Sequence, residues 1–280
     1  MRYEWDRKAM EIISFLEYGF VQRALLAGCF IALLCSSLGV FLVLRRFSLI
    51  GDGLAHATFG SVALALLLRM SPIYVSIPIV MVCALGILRL TERFRVYGDA
   101  AIGVVSSLGI AMGVIISSLA GGFNVDLFSY LFGSILSIGM SEVVISAVLS
   151  VVVLFTLFFF YHDLLAITFD EESAKATGVN AGRINSLFVI LTAVTVVLSM
   201  KVVGIMLISA LLILPAVTAL QLSRSFRSTI AIAALAAVTS VVSGIFISFY
   251  ADLPTGATIV MVNFIFFLLG LLYRRVTKTS

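Results

Sequence analysis

The first long apolar stretch of the chain, residues 20–44, reads FVQRALLAGCFIALLCSSLGVFLVL, and Arg23 is its one charged residue. A helix of about 20 such residues is long enough to cross the hydrocarbon core of a bilayer. Further apolar stretches follow at roughly 54–70, 72–90, 101–120, 142–161, 184–200, 203–222, 229–250 and 256–273. We therefore predict an all-α, polytopic integral membrane protein with about nine transmembrane helices, within a range of eight to ten.

The composition of the 280-residue chain agrees with this fold class, since 62% of its residues are hydrophobic and only 11% are charged. The mean hydropathy is +1.22, whereas a soluble domain carries about a quarter charged residues. These values exclude a soluble enzyme. The net charge of +4 is spread over loops, as the positive-inside rule explains, and does not indicate nucleic-acid binding. Because no repeat or linker divides the chain, we expect one transmembrane domain over residues 1–280.

Two segments outside the predicted spans are expected to lie at the membrane surface. Residues 1–16 mix charged and apolar side chains at helical spacing, which predicts an interfacial helix. The short apolar piece 127–138 is typical of a re-entrant or interfacial helix, because it is too short for a full span.

The distribution of Lys and Arg predicts which side of the membrane each loop occupies. If the stretch 20–44 ends inside the cell, the cytoplasmic side holds twelve basic residues: Arg45, Arg46, Arg89, Arg93, Arg95, Lys175, Arg183, Arg224, Arg227, Arg274, Arg275 and Lys278. The outer side holds the other six of the 18: Arg2, Arg7, Lys8, Arg23, Arg69 and Lys201. Since basic residues favour the cytoplasm, the C-terminus is predicted to be cytoplasmic.

The segment 48–65, SLIGDGLAHATFGSVALA, places Asp52 four residues before His56. On a helix this spacing puts both side chains on one face, about one turn apart. A carboxylate and an imidazole are a plausible ligand pair for a divalent cation such as Zn²⁺ or Mn²⁺. The alternative is a mutual hydrogen bond at a helix start, with Asp52 as the N-cap. The position near a membrane span favours the metal hypothesis, because ionisable groups are costly there and usually face a pathway.

The longest polar interval between predicted spans, residues 168–183, reads TFDEESAKATGVNAGR. Asp170, Glu171 and Glu172 are expected to begin a short helix, since acids favour a helix N-terminus, and Gly178 is expected to end it. The orientation above places this loop in the cytoplasm.

Two weaker signals complete the set of candidate residues. Asp126, on the outer side, either lines an access path for an ion or caps the short helix that follows it. Gly109 and Gly113 form a GxxxG pattern, which indicates close packing of two helices.

The sequence contains no G-x-x-x-x-G-K-S/T, HExxH or GxSxG motif. This chain therefore cannot bind ATP through a P-loop, and nothing in it supports catalysis. Three classes of function remain: a permease driven by a separate ATPase, a carrier or channel that needs no ATPase, and a membrane enzyme or scaffold. A secondary carrier should hold several charges inside the membrane for ion coupling. Asp52 is the main buried candidate here, which argues against that class.

Five blocks, in this order, resemble the divalent-metal permeases of ABC importers. They are RRFSLIGDGLAHATFGSVALA (45–65), DLFSYLFGSIL (126–136), TFDEESAKATGV (168–179), KVVGIMLISALLILPAVTA (201–219) and DLPTGATIVMV (252–262). The form GDGLAHATFG is more similar to the zinc branch, because manganese members more often read GDAISHAVLPG. Here Gly53 and Ala55 replace Ala and Ser, and no proline follows His56.

The resemblance implies a multi-pass subunit of a bacterial cell membrane that imports Zn²⁺, with a manganese or iron importer of the same design as the alternative. It implies a homodimer of permeases surrounded by lipid, cytoplasmic ATP-binding-cassette subunits, and an extracytoplasmic metal-binding protein. No cofactor would be permanently bound, and Zn²⁺ would be the transported substrate held by Asp52 and His56. The residues that would form the helix coupled to the ATPase are Phe169, Asp170, Glu171, Glu172, Ala174 and Gly178.

Overall fold

The computed structural model describes residues 18–120 and 138–278, and the regular structure of these residues is entirely helical. The interfacial helix expected at 1–16 and the candidate Asp126 lie outside the described residues, as does nearly all of the segment 127–138.

Eleven helices follow one another along the described residues. They are α1 (Gly19–Leu44), α2 (Ile50–Leu67), α3 (Pro72–Glu92), α4 (Gly98–Leu119), α5 (Met140–Phe159), α6 (Tyr161–Phe169), α7 (Glu171–Ala176), α8 (Ala181–Val203), α9 (Ile205–Leu222), α10 (Phe226–Ala251) and α11 (Thr255–Lys278).

Eight of these helices are long and apolar enough to cross a membrane: α1, α2, α3, α4, α5, α8, α10 and α11. The ninth predicted span corresponds to α9, whose apolar part Leu207–Leu222 is shorter than those of the other eight. Helices α8 and α9 meet at Gly204, where φ is +83°. Residues with a Cβ rarely adopt this backbone conformation. Gly204 adopts it and separates α8 from α9. The prediction of an all-α, polytopic membrane protein is confirmed.

Two boundaries differ from the predicted ones in a way that matters for the site. Helix α2 begins at Ile50 rather than near residue 54, so Asp52 and His56 both lie inside the helix. Helix α6, Tyr161–Phe169, was not predicted, because His162 and Asp163 interrupt the apolar run at the end of α5.

Helices α1 and α2 form the centre of the bundle. In the most apolar window of α1, 72% of the residues are buried against protein, and the value for α2 is 67%. The same measure is 28–33% for α3, α4, α5, α10 and α11, which therefore surround the centre and turn most of their side chains outward. Helix α2 packs against α3, α4, α8 and α9.

The contact between α2 and α4 is made by glycines. A Cβ atom added to Gly60 of α2 would lie 2.5 Å from the carbonyl oxygen of Gly109, and one added to Gly109 would lie 2.6 Å from the carbonyl oxygen of His56. Gly113 packs in the same way on the ring of Phe59. The close helix packing predicted from the GxxxG pattern is confirmed, and it holds α4 directly against the backbone of His56.

Candidate functional site

A tight, hydrogen-bonded connection leads from α1 to the first turn of α2. Arg46 has a φ of +59°, and the amide of Phe47 donates to the carbonyl oxygen of Leu42 at 2.9 Å. The amide of Ile50 then donates to the carbonyl oxygen of Phe47 at 3.0 Å. These bonds fix the direction in which α2 leaves α1.

The N-cap residue of α2 is Leu49, and its side chain makes no capping hydrogen bond. The alternative in which Asp52 acts as the N-cap is therefore wrong, because Asp52 lies in the first turn of the helix. A carboxylate is electrostatically favourable at that position, since it faces the positive end of the helix dipole.

Asp52 and His56 lie on the same face of α2, as their spacing predicted. The distance between Oδ2 of Asp52 and Nε2 of His56 is 3.5 Å, and the side chains are 53% and 34% exposed. Two donors bound to one Zn²⁺ at about 2.1 Å each, with a tetrahedral angle between them, lie about 3.4 Å apart. The separation therefore fits a shared cation, and it equally fits a direct contact between the two side chains.

Two ligands are fewer than a zinc ion ordinarily takes, because it prefers four. Within residues 18–120 and 138–278, no cluster of three or more His, Cys, Asp and Glu side chains could hold a metal. His162 is exposed in α6, and the cysteines Cys29, Cys35 and Cys83 are free thiols in α1 and α3. The described part of one chain thus offers half of a coordination shell.

The short helix predicted in the interval 168–183 is present as α7. The amide of Ser173 donates to Oδ1 of Asp170 at 3.0 Å, and the Ser173 hydroxyl donates to Oδ2 at 2.5 Å. These hydrogen bonds hold the pKa of the Asp170 carboxyl below its usual value. After the helix, Gly178 has a φ of +92°, which is the usual glycine conformation just beyond a helix C-terminus.

The surface of α7 combines one buried anchor with exposed charged groups. Ala174 is buried, whereas Phe169 at the preceding helix end is 70% exposed. Lys175 Nζ lies 2.7 Å from Oε1 of Glu171, and this contact raises the pKa of the lysine. An exposed helix with an aromatic neighbour and solvated charges can dock on another protein.

A cavity of about 640 Å³ lies beside α7, where the ends of α1 and α3 meet α6 and the start of α8. Its polar lining includes Arg45, Glu92, Glu171, Lys175 and Asn185. The sequence indicated Arg45 only as a basic loop residue, and it gave no signal for Asn185. Arg45 and Asn185 come together only through a contact between segments that are far apart in the chain.

Comparison with known proteins identifies the family of the chain. The model of the ABC 3 transport family matches residues 17–274. The "High-affinity zinc uptake system membrane protein ZnuB" of Haemophilus influenzae is 32% identical over 251 residues, which cover 90% of this chain and 96% of that protein. The "Manganese transport system membrane protein MntC" of Halalkalibacterium halodurans is 31% identical over 258 residues, covering 92% and 88%.

A solved structure has the same fold. It is "PsaBC from Streptococcus pneumoniae in complex with Fab", which superposes with a TM-score of 0.82 at 31% sequence identity and covers 94% of each chain. The family match and these relatives each span nearly the whole sequence. The chain therefore belongs to the ABC 3 transport family, in agreement with its predicted resemblance to the divalent-metal permeases of ABC importers.

Proposed function

We propose that this chain is the transmembrane permease subunit of an ATP-binding-cassette importer that moves Zn²⁺ into the cell. The observation that carries the proposal is the Asp52–His56 pair, whose donor atoms lie 3.5 Å apart on one face of a membrane-spanning helix. This separation suits two ligands of one divalent cation. A transport site must bind weakly enough to release the ion, and a site with two ligands per subunit can open when the subunits move apart.

The exposure of the pair supports a dimeric pathway. Most of α2 is buried, yet Asp52 and His56 keep 53% and 34% of their side chains exposed at the surface of one subunit. Lipid is a costly environment for a carboxylate. A second permease copy that faces the first across a hydrated pathway removes this cost and supplies two more ligands from its own pair.

Energy for transport would enter through α7. The chain has no P-loop, so a separate cytoplasmic ATPase must act on it through a protein contact. Helix α7 is capped, carries exposed charged groups and is anchored by Ala174, and we assign it the coupling role. This places α7 and the C-terminus in the cytoplasm, with an extracytoplasmic metal-binding protein delivering the ion on the other side.

Zinc is favoured by the sequence GDGLAHATFG around the pair and by the similarity to ZnuB. Manganese is the second candidate, because MntC is similar to nearly the same degree. Uptake of radioactive Zn²⁺ into vesicles that hold the reconstituted complex, with Mn²⁺ as competitor, separates the two. Zinc specificity predicts that a tenfold excess of Mn²⁺ leaves most Zn²⁺ uptake intact. A binding preference for Zn²⁺ well above about 1.4 kcal/mol, which corresponds to a tenfold difference in affinity, outweighs such an excess.

The ligand assignment is tested by Asp52→Ala and His56→Ala in the same vesicles. Each variant should lose Zn²⁺ uptake while its amount in the membrane stays at the wild-type level. Asp99→Ala, in the first turn of α4, and His162→Ala, in α6, are matched controls that remove the same groups elsewhere. Wild-type uptake by both ligand variants would refute the assignment.

A further inference from the structure

Arg45 is the first residue of the connection 45–49 between α1 and α2, and its guanidinium is turned inward. Nε donates to the hydroxyl of Thr168 at 3.0 Å, and one terminal nitrogen donates to the carbonyl oxygen of Leu164 at 3.3 Å. The other terminal nitrogen donates to Oδ1 of Asn185 at 2.9 Å. A single side chain thus fastens the end of α1 to α6 and α8.

Two further contacts extend this arrangement. The Asn185 side chain donates through Nδ2 to Oε1 of Glu92 at 3.0 Å, which adds the C-terminal end of α3. The guanidinium carbon of Arg45 lies 5.1 Å from the centre of the Phe188 ring, within the range of a cation–π interaction. We call Arg45, Thr168, Asn185, Glu92 and Phe188 the Arg45 network.

Burial and charge strengthen the hydrogen bonds of this network. Removal from water lowers the pKa of Arg45 to about 10, an effect that the nearby carboxylate of Glu171 in α7 opposes. The guanidinium therefore stays charged at neutral pH, and hydrogen bonds from a charged donor are roughly twice as strong as neutral ones. A planar guanidinium satisfies three acceptors in fixed directions, which an ammonium group on a flexible stem does not do.

The network lies between two functional elements. On one side, Thr168 is two residues before Asp170, which both ends α6 and caps α7. On the other side, the hydrogen-bonded connection 45–49 leads from Arg45 into the first turn of α2, which contains Asp52. The Arg45 side chain therefore joins α6, which ends where α7 begins, to the connection that leads into α2.

We propose that Arg45 is a positioning residue that transmits movement of α7 to the first turns of α2, so that the ATPase contact and the Asp52–His56 pair move together. This inference rests on the proposed function, because it assumes that α7 receives the ATPase and that the pair holds the metal. It adds the residue through which the two communicate.

The test uses the complete complex of permease, ATPase and metal-binding protein in vesicles, with Zn²⁺ as the transported ion. The quantity compared is the number of Zn²⁺ ions transported per ATP hydrolysed. In Arg45→Gln and Arg45→Lys this ratio should fall about fivefold or more, the smallest effect expected of a coupling between two sites, while ATP is still hydrolysed. Arg46→Gln is the matched control, because it removes the same charge from the adjacent exposed position.

Each result has a distinct meaning. A merely structural role of Arg45 would lower the amount or thermal stability of the permease and leave the ratio unchanged in the molecules that remain, which would overturn the inference. A wild-type ratio in Arg45→Lys, which keeps the charge and most of the side-chain volume, would also overturn it. Absence of any ATP-driven Zn²⁺ uptake by the wild-type complex would instead contradict the proposed function.

Discussion

Replacing Gly109 by alanine should disturb both the stability of the bundle and the candidate metal site. The added Cβ would lie 2.6 Å from the carbonyl oxygen of His56 and 2.7 Å from two backbone atoms of Ala57. Backbone atoms cannot rotate away as a side-chain tip can, so both α4 and the part of α2 that carries His56 must shift. Ordinary contacts begin near 3.4 Å, and the helices must therefore separate by about 0.8 Å at this point.

Two consequences follow from a displacement of this size. Overpacking of a close contact costs about 1–3 kcal/mol of folding stability. Metal–ligand distances tolerate only about 0.2 Å, so a shift of the backbone that carries His56 should also reduce Zn²⁺ uptake. We expect Gly109→Ala to unfold at a lower temperature in detergent and to transport less Zn²⁺ per molecule in vesicles.

Gly103→Ala is the matched control, since a Cβ at Gly103 of the same helix meets nothing within 4 Å. Alanine is favoured over glycine inside a helix by up to about 1 kcal/mol, so this variant should be at least as stable as the wild type and should transport normally. If Gly109→Ala and Gly103→Ala behave alike in both assays, the glycine contact neither stabilises the bundle nor positions His56.

Two further substitutions test smaller parts of the structure. Ser61→Ala removes the partner of the buried Ser76 hydroxyl, which lies 2.7 Å away. Its thermal unfolding should show a loss of about 1–3 kcal/mol that the double change with Ser76→Ala partly restores, because an unsatisfied buried polar group costs more than a missing pair. The folded-state pKa of Asp170 is depressed below its ordinary value of 3.8, so the ionised cap stabilises α7 fully at a pH above 3.8. This stabilisation is lost as the pH falls through the depressed pKa. The protection of the Ser173 amide against hydrogen exchange, taken relative to its intrinsic rate at each pH, should therefore fall in acid in the wild type but stay nearly constant in Asp170→Asn. Equal loss of protection in both would show that the carboxylate does not hold the cap.

Local sequence signals predicted the parts of this structure that depend on neighbouring residues. The nine apolar stretches predicted the long helices, and the acids at 170–172 with Gly178 predicted the position of α7. The i,i+4 spacing predicted that Asp52 and His56 share a face. These features follow from helix length, helix dipoles and helical periodicity, which act over one or a few turns.

Features that depend on distant residues were not predictable in the same way. Arg45 bonds to Thr168 and Asn185, which are 123 and 140 residues away in the chain. The early start of α2 was missed because Asp52 lowers the hydropathy of its first turn, although the helix dipole favours a carboxylate there. Sequence alone also left open whether Asp52 is a cap, and the position of Leu49 at the N-cap decides this.

The most direct test of the central claim, that Asp52 and His56 hold the transported ion, is X-ray absorption at the zinc edge on the Zn²⁺-loaded complex of permease and ATPase. If the two side chains bind the ion, the spectrum should show a shell of nitrogen and oxygen ligands at about 2.0–2.1 Å. An imidazole scattering signal should also be present, disappear in His56→Ala and persist in His162→Ala. A sulfur shell at about 2.3 Å, or an imidazole signal unchanged in His56→Ala, would contradict the claim.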